Sequence, residues 1–171
     1  EGVMGLFDGT KNKSSSTAEF VKKFKIPVLL ILDSSGQSQT LAAICKGIMN
    51  YDTEINFIGV ILNNISSERH YNLINEELEK CKIKVLGYLP RSDDLIFPRR
   101  HLGLFLAEHV ENYQYLINCA ANLIEKYIDI EEIIKLSNVV DDDQESIIRE
   151  SGKVSIDLGQ RISIAKDPSF S

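Results

Sequence analysis

Pro27-Val28-Leu29-Leu30-Ile31-Leu32-Asp33-Ser34-Ser35-Gly36 is the stretch on which the fold turns. An unbroken apolar run of strand length, closed by an acid and a Ser-Ser-Gly turn, reads as a strand covered on both faces. A strand with one wet face would alternate instead. Gln39 to Asn50 follows with apolar positions Leu41, Ile44, Ile48 and Met49, which is helical spacing. Strand, turn and helix together make one crossover unit.

Working outward, the unit repeats. Ile55 to Leu62 reads as a second strand ending in Asn63-Asn64. Ser66-Ser67-Glu68-Arg69 opens a helix running to Lys80, and Ile83 to Leu89 reads as a third strand closed by Pro90-Arg91. Upstream, Ser14-Ser15-Ser16 offers N-cap hydroxyls to an amphipathic helix from Thr17 to Phe24, which Pro27 is expected to break. Beyond a loop with Pro98, helical patterns run from Leu104 to Tyr127 and from Ile130 to Leu136. Strands alternating with helices over short connections predict an α/β fold, a parallel sheet flanked by helices.

After Asn138 the periodicity fades. Asp141-Asp142-Asp143 and Ser151-Gly152 mark a linker, and Arg161 to Asp167 alternates like a strand. The expected organisation is a domain over 1–137, a linker over 138–160 and the first strand of another domain over 161–171. The chain opens on a glycine-rich motif with no strand before it. The sheet is therefore expected to be incomplete at the N-terminus.

The 171 residues suffice for one ordinary domain with a real core, and 43% hydrophobic with 26% charged residues is a globular balance. Acids outnumber bases, 25 to 19, for a net charge of −6. That disfavours nucleic acid as a partner, since basic surface supplies most of such affinity, and Arg99-Arg100-His101 is too small a cluster to reverse it. No apolar run reaches bilayer-spanning length, so no membrane partner is expected. Cys45, Cys81 and Cys119 are odd in number and far apart, which predicts reduced, mostly buried thiols and a cytoplasmic setting.

Glu1-Gly2-Val3-Met4-Gly5-Leu6-Phe7-Asp8-Gly9 carries the sharpest chemistry. Glycines let backbone approach a ligand, and carboxylates are the hard oxygen ligands that Mg²⁺ takes alongside water and phosphate. The segment suits the edge of a nucleotide-metal site; an acidic loop closing a strand fits the same residues. Ligands of open α/β sheets bind beyond the carboxyl ends of the strands. The expected polar ends there are Asp8, Asp33 to Gln39, Asn63-Asn64 and Pro90-Arg91. Loops are rich in such residues in any case.

The Glu1–Gly9 motif is followed in order by Ser16-Thr17-Ala18-Glu19, Pro27-Val28-Leu29-Leu30, Gly59-Val60-Ile61-Leu62-Asn63, Ser67-Glu68-Arg69-His70, Gly87-Tyr88-Leu89-Pro90-Arg91 and Arg100-His101-Leu102-Gly103-Leu104. That series resembles the cobyrinic acid a,c-diamide synthase family, glutamine-dependent amidoligases of corrinoid biosynthesis. The likeness covers Glu1 to Leu104 and returns at Arg161 to Phe170, which resembles the opening strand of that family's glutaminase domain.

The resemblance implies a P-loop NTPase-like fold of the dethiobiotin-synthetase kind, with ATP and Mg²⁺ as cofactors. It implies a corrinoid or related tetrapyrrole carboxylate as substrate, activated as an acyl phosphate, and ammonia from glutamine through a C-terminal domain with a Cys nucleophile. By the same resemblance Glu1 matches the Mg²⁺-coordinating Glu, and Asp8 the second acid at the junction of ATP and substrate. Asn63 matches the Asn facing adenine, and Pro90 and Arg91 border the base. Asn64 departs from the family, where Arg is common, and Gln37 replaces a usual Met. The family's Gly-rich phosphate loop would precede Glu1 and its glutaminase Cys would follow Ser171. The fragment alone is therefore expected to be inactive and, through an exposed sheet edge, open to forming a homodimer. A different tetrapyrrole (hydrogenobyrinic acid, a nickel sirohydrochlorin, or the side chains amidated by cobyric acid synthase) and a partition-type or regulatory P-loop ATPase are the alternatives. His70 and His101 are expected to be structural or to support the site.

Overall fold

The computed structural model describes residues 2, 4–10, 15–92, 95 and 112–137. Glu1, the Arg99-Arg100-His101 cluster, the expected helix before Asn112, the linker over 138–160 and the strand over 161–171 lie outside the described residues. The elements run α1 (Thr17–Lys23), β1 (Val28–Asp33), α2 (Thr40–Tyr51), β2 (Phe57–Ile65), α3 (Glu68–Lys80), β3 (Val85–Pro90), α4 (Tyr113–Tyr127) and α5 (Ile130–Ser137). The strands form one parallel sheet in the order β1-β2-β3, with Leu30 opposite Val60 and Leu62 opposite Tyr88.

Alternation along the strands decides which side chains meet the helices. Leu30 and Leu32 of β1 and Val60 and Leu62 of β2 share one face with Leu41, Ala42 and Cys45 of α2 and Ile74 and Leu78 of α3. On the opposite side Ile31 is 60% exposed, so among the described residues nothing covers that face of β1 as expected for a central strand, and β2 is paired on both edges. α4 and α5 reach β3 and β2. Their junction is strapped to β3 by a bridge between Gly87 and Ile128 and by the Asp129 N–H donating to the Leu86 carbonyl at 2.9 Å.

Two helices end within a residue of the expected bounds but close without a glycine. Lys25 and Lys82 take left-handed φ values of 51° and 59°. Around them the Ile26 N–H reaches the Val21 carbonyl and the Ile83 N–H reaches the Leu78 carbonyl, each at 2.9 Å. Both are Schellman closures with a lysine where glycine is usual. So α1 stops before Pro27, and β3 starts two residues later than the apolar run, because Ile83 is the hydrophobic plug of the α3 cap.

β2 also begins and ends later than its apolar run. Ile55 is drawn into a separate cluster with Ala18 and Val21 of α1, against which Leu6, Phe7, Val28 and Phe57 pack. At the other end the strand continues through Asn63 and Asn64 to Ile65, which pairs with Pro90. The passage is possible because Asn64 adopts φ 60°, a left-handed conformation that asparagine tolerates better than most residues.

Candidate functional site

A cavity of about 380 Å³ opens beyond the carboxyl ends of the strands, lined by Ser35, Gly36, Asn64, Ser66, His70 and Arg91. Three segments expected to converge there do so: the β1–α2 loop, the end of β2 and the residue after β3. Backbone continues the sheet into the site, with the Ser34 N–H on the Asn63 carbonyl at 2.8 Å and the Arg91 N–H on the Ile65 carbonyl at 2.9 Å.

Asp33 organises one wall. Its Oδ1 accepts from the Ser35 hydroxyl, from Asn64 Nδ2 at 2.9 Å and from the Ser35 N–H at 3.0 Å. These donors favour the charged form, the Ser35 hydroxyl most, and hold the carboxyl below the usual carboxylate range. Gly36, at φ 65°, lets the chain turn directly after them.

His70 organises the other wall. Its Nδ1 receives the Ser66 N–H at 3.2 Å, with the Ser66 hydroxyl at 3.1 Å, so Nδ1 is the bare nitrogen. Nε2 then carries the proton and donates it to the Gln37 carbonyl at 2.5 Å. Among the described residues, Ser34 Oγ and Gln37 Oε1 are buried side-chain atoms without a hydrogen-bond partner, and Ser34 is 0% exposed. Native interiors rarely leave such atoms unsatisfied, so both are exceptions within the β1–α2 loop.

The residues expected from sequence fall into two groups. Arg91 and Asn64 line the cavity, and Pro90 ends β3 beside it. Asn63 is half-buried, its side-chain oxygen accepting the Asn64 N–H at 3.0 Å. Asp8 stands apart. It lines a separate depression of about 300 Å³ with Gly2, Met4, Ser15, Ser16, Thr17 and Phe20. There its Oδ2 accepts the Gly5 N–H at 3.0 Å, and the Phe7 ring beside it packs on Tyr51 at the far end of α2, 4.6 Å between centroids. Glu1 lies outside the described residues.

Sequence reasoning missed the latch made by His70 and the buried hydroxyl of Ser34. A usable signal existed for the first: Ser66 and His70 lie four apart across a helix start, which brings them onto one face. The cysteines are free thiols, but only Cys45 is fully buried; Cys81 and Cys119 are half-buried. Burial, then the neighbouring Cys81, pushes the Cys45 thiol up to about 11. Among the described residues no group of three or more His, Cys, Asp or Glu could hold a metal ion, and no helix is long and apolar enough to cross a membrane.

Parallel strands in sequence order, crossover helices and a polar cavity beyond the strand ends define a ligand-binding α/β domain. Residues 6–104 match the CobQ/CobB/MinD/ParA nucleotide binding domain, and the chain belongs to that family, with its P-loop NTPase-like α/β fold. The hydrogenobyrinate a,c-diamide synthase of Agrobacterium fabrum is 40% identical over 99% of this chain. The cobyrinate a,c-diamide synthases of Saccharolobus solfataricus and Clostridium acetobutylicum are 39% and 38% identical over 100% and 99% of it. The chain spans 39%, 38% and 38% of these relatives' lengths respectively. No solved structure matches it.

Proposed function

We propose that this chain supplies the ATP-facing part of an enzyme that amidates the a and c side-chain carboxylates of cobyrinic acid, with hydrogenobyrinic acid as the second substrate to test. The observation that carries the reading is the strand-end cavity on a nucleotide-binding domain. Diamide synthases acting on those two corrinoids match nearly the whole chain. The donor set fits a nucleotide. An amide carries donor and acceptor together, as a purine edge requires; Asn64 lines the cavity, and Asn63 beside it would face adenine. Pro90 and Arg91 would border the base.

The chemistry proposed is activation followed by displacement. A carboxylate oxygen attacks the γ-phosphorus of ATP and ADP leaves. Ammonia, drawn from glutamine on a further domain, then attacks the acyl carbon; phosphate leaves and the nitrogen sheds a proton to give the amide. The acid-tipped segment would serve the first step, Glu1 as a Mg²⁺ ligand and Asp8 at the junction of ATP and substrate. Mg²⁺ uses only one or two protein carboxylates when phosphate supplies the remainder, and its charge offsets repulsion between two anions. Such an enzyme would work in the cytoplasm.

The test is an enzyme of the relatives' full length carrying this sequence, offered MgATP, glutamine and each corrinoid. Two successive amidations read by product mass are expected. Glu1→Gln is expected to abolish amidation while glutamine hydrolysis persists at least in part. Amidation by Glu1→Gln at the wild-type rate in saturating Mg²⁺ would remove the metal role, and ATP turnover without any corrinoid product would favour a regulatory ATPase.

A further inference from the structure

We infer that His70 is a positioning residue of this site: its imidazole pins the β1–α2 loop to the start of α3 and so sets the shape of the cavity. The inference rests on the nucleotide reading above for its ligand but not for its geometry. The two partners of the ring come from different elements. Ser66, just before α3, meets Nδ1, and the Gln37 carbonyl, 33 positions upstream, meets Nε2.

The two sides are unequal in rigidity. α3 is capped by the Ser67 hydroxyl, which accepts the His70 N–H at 3.2 Å, and Ile74 and Leu78 root the helix in the core. The N-cap of α2, Gln39, sits in helical geometry and makes no side-chain cap bond. Within its loop the Gln37 N–H reaches the Ser34 carbonyl at 3.2 Å, and Gln37 Nε2 reaches the Asp33 carbonyl only at 3.4 Å. From α3 the loop takes the 2.5 Å bond of His70 at Gln37 and a longer one at its end, where Gln39 Nε2 donates to Glu77 Oε1 at 3.4 Å. That same loop carries Ser34 Oγ and Gln37 Oε1, the buried atoms with no partner among the described residues. Fixing the loop therefore fixes Ser35 and Gly36, which line the cavity beside His70, and this is preorganisation supplied from a rigid element.

An imidazole does this because it accepts on one side and donates on the other. A glutamine amide can do the same; leucine fills the space and does neither. Asparagine keeps the acceptor near Ser66 but is too short to reach Gln37.

The first measurement needs no ligand. Nitrogen-15 spectra of the chain with labelled histidine are expected to show the His70 proton on Nε2. Amide exchange over 34–39 is expected to be about three- to tenfold faster in His70→Leu, the loss of about one hydrogen bond, and near wild type in His70→Gln. The second is titration with MgATP of an enzyme of the relatives' full length carrying this sequence. Affinity is expected to fall by about the same factor in His70→Leu and to recover in His70→Gln. In the full-length enzyme the change should fall on the ATP KM and leave kcat in place. If His70→Leu does not fold, His70→Asn replaces it with the same expectation. A proton on Nδ1, unchanged loop exchange, or a His70→Gln variant as impaired as His70→Leu overturns the inference. A full-length wild type that binds no MgATP while the exchange pattern holds would sink the nucleotide reading alone.

Discussion

Asn63 and Asn64 are neighbours with opposite duties. Asn64 turns its amide onto Asp33 and lines the cavity from a left-handed backbone, while Asn63 stays in the ladder opposite Asp33. If Asn63 reads the purine, Asn63→Ala should raise the ATP KM and blur preference for ATP over GTP, at about 1–3 kcal/mol for partners left unpaired. Unchanged nucleotide preference would take Asn63 out of the site. Asn64→Ala removes a donor to Asp33, so the carboxyl should titrate closer to its usual range, which carbon-13 spectra of labelled aspartate can follow. An unmoved Asp33 would show that Ser35 alone sets it. The strand-end polar residues were legible because a strand of fixed direction must end somewhere, and asparagine, serine and arginine mark the place. Which of two adjacent asparagines faces the cavity was not legible, because one positive φ in Asn64 reverses the alternation that sequence reading assumes.

At the scale of elements, helices kept their expected bounds to within a residue, but the caps that close α1 and α3 and delay β3 were not legible. Lysine at a Schellman position gives no signal, since it is also an ordinary surface helix residue. The same fact makes a sharp prediction. Lys82→Gly relieves a strained left-handed residue and should stabilise the chain by up to about 1 kcal/mol in denaturant unfolding. A loss of stability would mean that the lysine stem contributes more than the strain costs. Gly87 is the converse case. Its φ is 144°, and a Cβ there would stand 2.4 Å from the Tyr127 carbonyl oxygen and 2.7 Å from Ile128 Cα. Gly87→Ala should therefore destabilise by about 1–3 kcal/mol and loosen α4 from β3. A melting temperature equal to wild type would show that the strap between Gly87 and Ile128 is dispensable.

For the molecule as a whole, charge decides the pH range of stability. Asp33, Glu77 and Glu132 are held below the usual carboxylate range, led respectively by the Ser35 hydroxyl, Lys80 and Lys84. Lys22 and Lys80 are raised above the usual lysine range, led by Asp52 and Glu77. A carboxylate lowered in the folded state adds stability above its ordinary range, lost as pH falls through the native value. A raised lysine adds stability below its ordinary range, lost as pH climbs through the native value. The midpoint of thermal unfolding should thus be flat across about pH 5 to 8 and fall on both sides, with small amplitude because these pairs are exposed. A midpoint that keeps rising on the acid side would contradict the assignment of these pairs. The α/β class was legible at this scale because two successive strand–helix units repeat a period change that few other folds produce. The cover of the sheet was not: Ile31 reads as core by type and stands 60% exposed.

The parallel register also has a consequence for synthesis on the ribosome. Leu30 pairs with Val60, and Val60 with Val85, so each ladder waits for a crossover of 30 and then 25 residues to be made. At about 5–20 residues per second, β1 waits a few seconds for β2, its partner among the described strands. Emergence of Phe57–Ile65 ends that interval, because β2 supplies the edge on which both other strands are laid. Stalled chains that expose the sequence through Ile65 should protect Val28–Asp33 from protease, and chains stalled before Phe57 should leave it open to cleavage.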